Sequence, residues 1–440
     1  MPTLGRDDGL PMSVPAPERD PYPDALRACA LLVVVLGHWI ATLPRVVDGV
    51  LVDTDHLLAL WGAAGYLTWL VQVVPLFVFV SAAVSVDGVE KRLAAGGQAT
   101  WWAGRALGLA RPTVTYLAVL VALALLSLLS GGRLLGVFNT SLTVHLWFLL
   151  MLLTVQALLP WCLRMDRRFG LSAVAGLVLV AAAMDLLRGG VSSFDGLRWL
   201  GRHVSESAPG IAWLNMLVVW LIPQQLGIAW KRGRFKGVVA GAGFIALGVV
   251  WLLLALGSGY PVAMVGVALA GNNMLPPTLA LVGVMWLQVG GVLLFEPLAR
   301  RVLAWRTPAR VIAILGALGM PLYLWHKLAE LPAAWLGEKL GLPIDAGVPG
   351  EAGFWLGRAG WIALCLLMVA PVIATVVRFE LKRNRNVPAA QHTAWIIFGG
   401  AALYIGLAAA LAWGVWPGAV AGLVAVAASS WALRRQAPAR

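Results

Sequence analysis

The sequence predicts an all-α, polytopic integral membrane protein, and three observations predict it. Of its 440 residues, 60% are hydrophobic and only 12% charged; a soluble domain has roughly 45–50% and about 25%. The apolar residues fall into about twelve runs, each near the roughly 20 residues a spanning helix needs. Basic residues crowd into alternate loops between those runs, and Trp (22) far outnumbers Tyr (6), as suits membrane interfaces.

Taken in order, residues 1–23 carry Pro, Asp and Glu where a signal peptide would have a basic region and an apolar run, and read as a disordered cytoplasmic tail. The expected spans are 26–43, 67–86, 112–130, 142–161, 171–187, 211–230, 238–257, 278–297, 311–331, 355–377, 393–411 and 413–432. The first ten form a transmembrane core over 24–380. Two additional helices occupy 381–432 and carry almost no ionisable residue, so they read as scaffold. A basic cytoplasmic tail closes the chain at 433–440.

One set of loops holds Lys91 and Arg92, then Arg164, Arg167 and Arg168, then Lys231 to Lys236, Arg300 to Arg310, Arg378 to Arg385, and Arg434 with Arg435. The other set is poor in positive charge, apart from Arg188, Arg198 and Arg202 in the loop 188–210. About 25 of the 33 Lys and Arg lie on one side, which places that side and both termini in the cytoplasm. A net charge of +13 distributed in this way marks topology, and no nucleic-acid partner is expected. Cys29, Cys162 and Cys365 show no CxxC spacing, and no His, Cys or acidic group has zinc spacing, so neither a disulfide framework nor a metal site is expected.

The outer loops are short, so any chemistry must use residues in or beside the bilayer, where an ionisable side chain costs several kcal/mol. The first helix carries two such residues. Arg27 and His38 are 11 residues apart, which leaves them about 20° apart around the axis and about 16 Å apart along it. A cation at the cytoplasmic mouth and an imidazole deeper in therefore share one face. Asp24, three residues before Arg27, is placed to hold it by an ion pair. Gly37 leaves room beside His38 for another backbone or a substrate. His titrates near neutrality and commonly acts as a general base.

Asp-x-x-Arg, nine residues and then Gly-His resembles the opening motif of the membrane acyltransferase-3 family. Four further stretches resemble that family in order: Pro75 to Ala82, Arg105 to Pro112, His145-Leu-Trp147-Phe148-Leu, and Pro321-Leu-Tyr323-Leu-Trp325-His326. Ala82 stands where the family has Gly, and Gly108 where it often has a second Arg. The resemblance covers residues 20–380 and implies transfer of an acyl group, acetyl by default, from acyl-coenzyme A as co-substrate to a hydroxyl of a glycan, glycolipid or glycosylated metabolite.

On that resemblance His38 is the base, with Arg27 and Asp24 as its companions, and Arg27, Arg105 and Arg111 hold the donor's phosphates. His145, Trp147, Tyr323, His326 and Ser81 are candidate substrate contacts. The bland readings are a His326–Glu330 hydrogen bond within one helix and Arg358 as a snorkelling outer residue; Gln224, Gln225, Asn272 and Asn273 are candidates for acceptor hydroxyl contacts, with loop or packing roles as their bland reading. His56, His203 and His392 fall in loops or at helix ends and receive no role. A transporter or flippase for a small molecule or lipid-linked sugar is the alternative, since twelve spans suit that class as well. It leaves the Arg27 and His38 pairing unexplained.

Overall fold

The computed structural model describes residues 20–48, 50–132, 135–187, 210–266, 272–344, 349–351, 353–383 and 392–435. The expectations for most of the N-terminal tail, for the loop with Arg188, Arg198 and Arg202, and for the last residues of the basic tail lie outside the described residues. The helices are α1 Pro21–Ala41, α2 Leu57–Leu60, α3 Ala64–Val71, α4 Val74–Ala94, α5 Gln98–Leu129, α6 Ser141–Val144, α7 Trp147–Ala157, α8 Leu159–Phe169 and α9 Ser172–Leu187. They continue with α10 Asn215–Lys231, α11 Gly237–Gly257, α12 Ala280–Leu303, α13 Arg306–Trp325, α14 Glu330–Lys339, α15 Phe354–Arg383, α16 Thr393–Trp413 and α17 Val420–Ala432. A hairpin of β1 Thr42–Val47 and β2 Val50–His56 follows α1 directly.

The chain is therefore an all-α polytopic membrane protein; each segment expected to span is largely helical, but 67–86, 142–161 and 311–331 run across breaks between helices. Among the described residues, nine helices are long and apolar enough to cross a membrane, or ten when the α8–α9 pair, bent by 116°, counts as one span. The count falls below twelve for two reasons. Helix α10 has only 17 residues, about 26 Å of rise against a hydrocarbon core of about 30 Å. Helices α16 and α17 are counted as one stretch of 40 residues. They nevertheless turn back on each other: Trp416 between them leaves helical geometry (φ −124°, ψ 124°), and Gly399 faces Leu433 while Gly406 faces Val426.

Local chemistry explains where α1 begins and stops. The Asp20 side chain accepts the Tyr22 N–H at 3.0 Å, and proline occupies the first turn, where its missing N–H costs nothing. The helix thus starts inside the stretch expected to be tail. At the other end Thr42 turns extended, and its hydroxyl donates to the His38 carbonyl at 3.0 Å. Elsewhere close packing needs glycine: a Cβ at Gly227 on α10 would lie 2.0 Å from the Phe79 carbonyl oxygen on α4, the small-residue approach common between membrane helices.

Charged loop residues gather at one end of the bundle. Arg167 and Arg232 both reach Glu90 of α4, at 2.9 and 2.6 Å. Arg232 and Arg234 converge on buried Asp166 of α8, at 2.7 and 2.9 Å. Arg300 of α12 grips Asp20 with two bonds of 3.0 Å and so fixes the start of α1 at that same end.

Candidate active site

Helix α1 runs unbroken from Arg27 to His38 and packs on α4, α12, α13 and α15. At the basic end Arg27 donates to Asp24, as its spacing predicts, and both are partly exposed. Arg105 of α5 lies close enough for its charge to act against that of Arg27. Its guanidinium donates to the neutral hydroxyl of Ser85 on α4 at 2.8 Å, which leaves its charge uncompensated by that bond. Arg111 follows Arg105 by six residues on α5, about 120° further round the helix. The two are not on one face.

The opposite end of α1 is where the helices break. His38 lies in the last turn of α1. His145 lies between α6 and α7, and His326 caps α13 before a 3-10 turn at Lys327–Ala329. The breaks bring the three imidazoles together. His38 and His326 rings are nearly coplanar, 15° apart with centroids 5.0 Å apart, and His38 Nδ1 meets His326 Nε2 at 2.7 Å. The His145 ring stands edge-on to His326 at 5.4 Å, and to Tyr116 and Tyr323 at 5.5 Å each.

The hydrogen bonds decide which nitrogens carry protons. His326 Nδ1 faces the Tyr323 carbonyl oxygen at 2.7 Å, and a carbonyl only accepts, so Nδ1–H donates. In a neutral imidazole His326 Nε2 then carries a lone pair, and His38 Nδ1–H must donate to it. The remaining nitrogen, His38 Nε2, has a lone pair and makes no hydrogen bond among the described residues. His326 is fully buried while His38 is half-buried. A Cβ at Gly37 would meet nothing within 4 Å, so open space, and no neighbouring backbone among the described residues, lies beside that glycine. Trp39 Nε1 donates to the His326 carbonyl at 3.0 Å, and Trp361 Nε1 to the Trp39 carbonyl at 2.8 Å. Helices α1, α13 and α15 are thereby fastened at the histidines.

A buried ion pair supports this end. Lys327 Nζ contacts both oxygens of Glu330, at 2.6 and 2.8 Å, and Thr42 Oγ1 at 3.4 Å. Glu330 therefore serves Lys327, not His326: the break after α13 turns the two side chains apart, and the expected His326–Glu330 bond does not form. Arg358 is 2% exposed and donates to the carbonyls of Thr42 and Ile344. It satisfies one carbonyl at the start of the hairpin and one in the segment after α14, and does not snorkel.

The remaining predicted contacts disperse. Tyr323 spends its hydroxyl on the His145 carbonyl, so that hydroxyl is not free for substrate. His145 is buried among aromatic rings, and Trp147 packs against Trp220 at 6.0 Å. Ser81 is buried on α4, one turn from Ser85. Gln224 donates to the Val155 carbonyl, and Asn273 to the carbonyls of Pro261 and Ala263; these are packing roles. The sequence reading passed over Thr42 and His56. Only their pairing across the hairpin marks them, and hydropathy carries no trace of it. Among the described residues no group of His, Cys, Asp or Glu is arranged to hold a metal.

A family model described as an acyltransferase domain, that of the acyltransferase-3 family, matches residues 20–377. The match takes in far more than half of the chain and includes α1, both ends just described and the hairpin that follows α1. The chain belongs to this family, and it is an acyltransferase enzyme. Helices α16 and α17 lie outside the match. Neither curated proteins nor solved structures give a match.

Proposed function

We propose that this acyltransferase carries an acyl group, acetyl by default, from acyl-coenzyme A to a hydroxyl of a glycan, glycolipid or glycosylated metabolite in the cytoplasmic membrane, with His38 as general base. The observation that carries the reading is the ordered pair of imidazoles: His326 holds His38 by Nδ1 and leaves Nε2 with its lone pair unused. As the acceptor oxygen attacks the thioester carbonyl, His38 Nε2 takes the hydroxyl proton. The new C–O bond forms, the C–S bond breaks, and the imidazolium gives its proton to the leaving thiolate, which departs as free thiol. His326 Nε2 accepts from His38 Nδ1–H throughout and keeps the ring oriented while it bears charge, the service a carboxylate performs in many catalytic triads.

Arg27 and Arg105 supply the donor end of the path. Two guanidiniums close in space, one paired with Asp24 and one bonded to the Ser85 hydroxyl, suit the phosphates of coenzyme A. About 16 Å of α1 then separates the phosphate end from His38, a span for the donor's flexible arm.

The test is thiol release from acetyl-coenzyme A by the purified protein with extracted envelope lipids and glycans. His38→Ala should insert and fold normally while transfer falls by about 10³-fold, within the range for loss of a general base. Full activity in that variant excludes His38 as the base. No thiol release by the wild type excludes acyl-coenzyme A as the donor.

A further inference from the structure

His56 closes β2, on the hairpin that follows α1. In the hairpin register it stands directly opposite Thr42. Residues directly opposite in an antiparallel pair project on the same face, with Cβ atoms about 5 Å apart. Thr42 is the residue whose hydroxyl donates to the His38 carbonyl and touches Lys327 and Glu330. The hairpin therefore delivers a fourth imidazole to the His38 end, and its charge centre is near enough to act on both His38 and Lys327.

The proton on this ring is also assigned. His56 Nδ1 accepts the backbone N–H of Leu58 at 3.2 Å, so the hydrogen of the neutral ring is on Nε2. Burial, and then the Lys327 charge, lower the pKa of His56 to about 4, so the ring stays neutral at physiological pH. Nε2–H makes no hydrogen bond among the described residues. The two half-buried imidazoles at this end are thus complementary: His38 presents a lone pair, and His56 presents an N–H.

We propose that His56 Nε2–H binds an oxygen of the hydroxyl-bearing acceptor and so is a specificity-determining contact of the acyl transfer. Acceptor rather than donor follows from position. The arginines suited to coenzyme A lie at the far end of α1, and the hairpin lies at the end left for the second substrate. The proposal rests on the acyl-transfer reading above.

Two substitutions separate the donor from the structural role. His56→Asn keeps an oxygen to cap Leu58 and an N–H to donate; His56→Asp keeps the cap and loses the donor. Thiol release from acetyl-coenzyme A by the purified protein is measured against the concentration of octyl β-D-glucoside, and separately with envelope extract. His56→Asp should raise the half-saturating glucoside concentration by about tenfold, the worth of one good hydrogen bond, and His56→Asn by no more than about threefold. Both should leave the half-saturating acetyl-coenzyme A concentration unchanged. An unchanged acceptor dependence in His56→Asp, or equal losses in both variants, overturns the proposal and leaves the acyl-transfer reading standing. Wild-type protein that releases no thiol with either acceptor overturns the transfer reading, and this proposal falls with it.

Discussion

At the Arg27 end of α1, charged groups are partly exposed: Arg27 leans on Asp24, and Arg105 donates to a serine. At the His38 end, charged and polar groups are buried and shared: Thr42 alone ties together His38, Glu330, Lys327 and Arg358. The same helix therefore ends in two environments. The first has donor capacity left for an anion, and little of the fold depends on it. The second is held by several elements at once, and its imidazoles are fixed in orientation before any substrate arrives. Binding suits the first, and chemistry that needs a defined proton position suits the second.

Breaking the histidine pair should have the largest effect. His326→Ala removes the acceptor that orients His38 and should lower the maximal transfer rate by about 10²-fold, with little change in half-saturation for acetyl-coenzyme A. His326→Gln, whose carbonyl oxygen can accept from His38 Nδ1–H, should recover most of the rate. A purely structural role for His326 would instead lower both variants alike.

The buried ion pair at the same end should matter to stability before it matters to rate. Glu330→Gln leaves the Lys327 ammonium buried without its counter-charge, at a cost of about 3 kcal/mol. The check is the thermal midpoint in detergent. The double change Lys327→Met with Glu330→Leu should recover part of the loss, because no bare charge remains.

Changes at the Arg27 end should be smaller and of a different kind. Arg27→Ala should raise the half-saturating acetyl-coenzyme A concentration by about tenfold, and Arg105→Ala by about threefold, with the maximal rate and thermal midpoint nearly unchanged. A fall in maximal rate with unchanged half-saturation would erase the contrast between the two ends.

Some of this was legible in the residues themselves. An offset of eleven residues from Arg27 to His38 puts both on one face because an α-helix has a fixed period, and an offset of three from Asp24 to Arg27 gives their bond for the same reason. The apolar runs gave the helices because a bilayer leaves the backbone no other partner. Of the residues in the basic loops, Arg167, Arg232 and Arg234 share one end, where the ion pairs of Glu90 and Asp166 gather them.

What tertiary structure decided is everything that depends on where helices stop. His326 and Glu330, four apart, would share a face if α13 continued. It breaks after Trp325, so Glu330 turns to Lys327 and His326 turns to His38. His145 joins them through a second break, and His56 through a hairpin register. Residues separated by hundreds of positions meet there because broken helices and a strand pair have no period to project from. Sequence alone determined a membrane bundle with an arginine and a histidine in line along its first helix. Packing alone determined which nitrogen of that histidine is left open, since a tautomer is set by the partner on the other side of the ring.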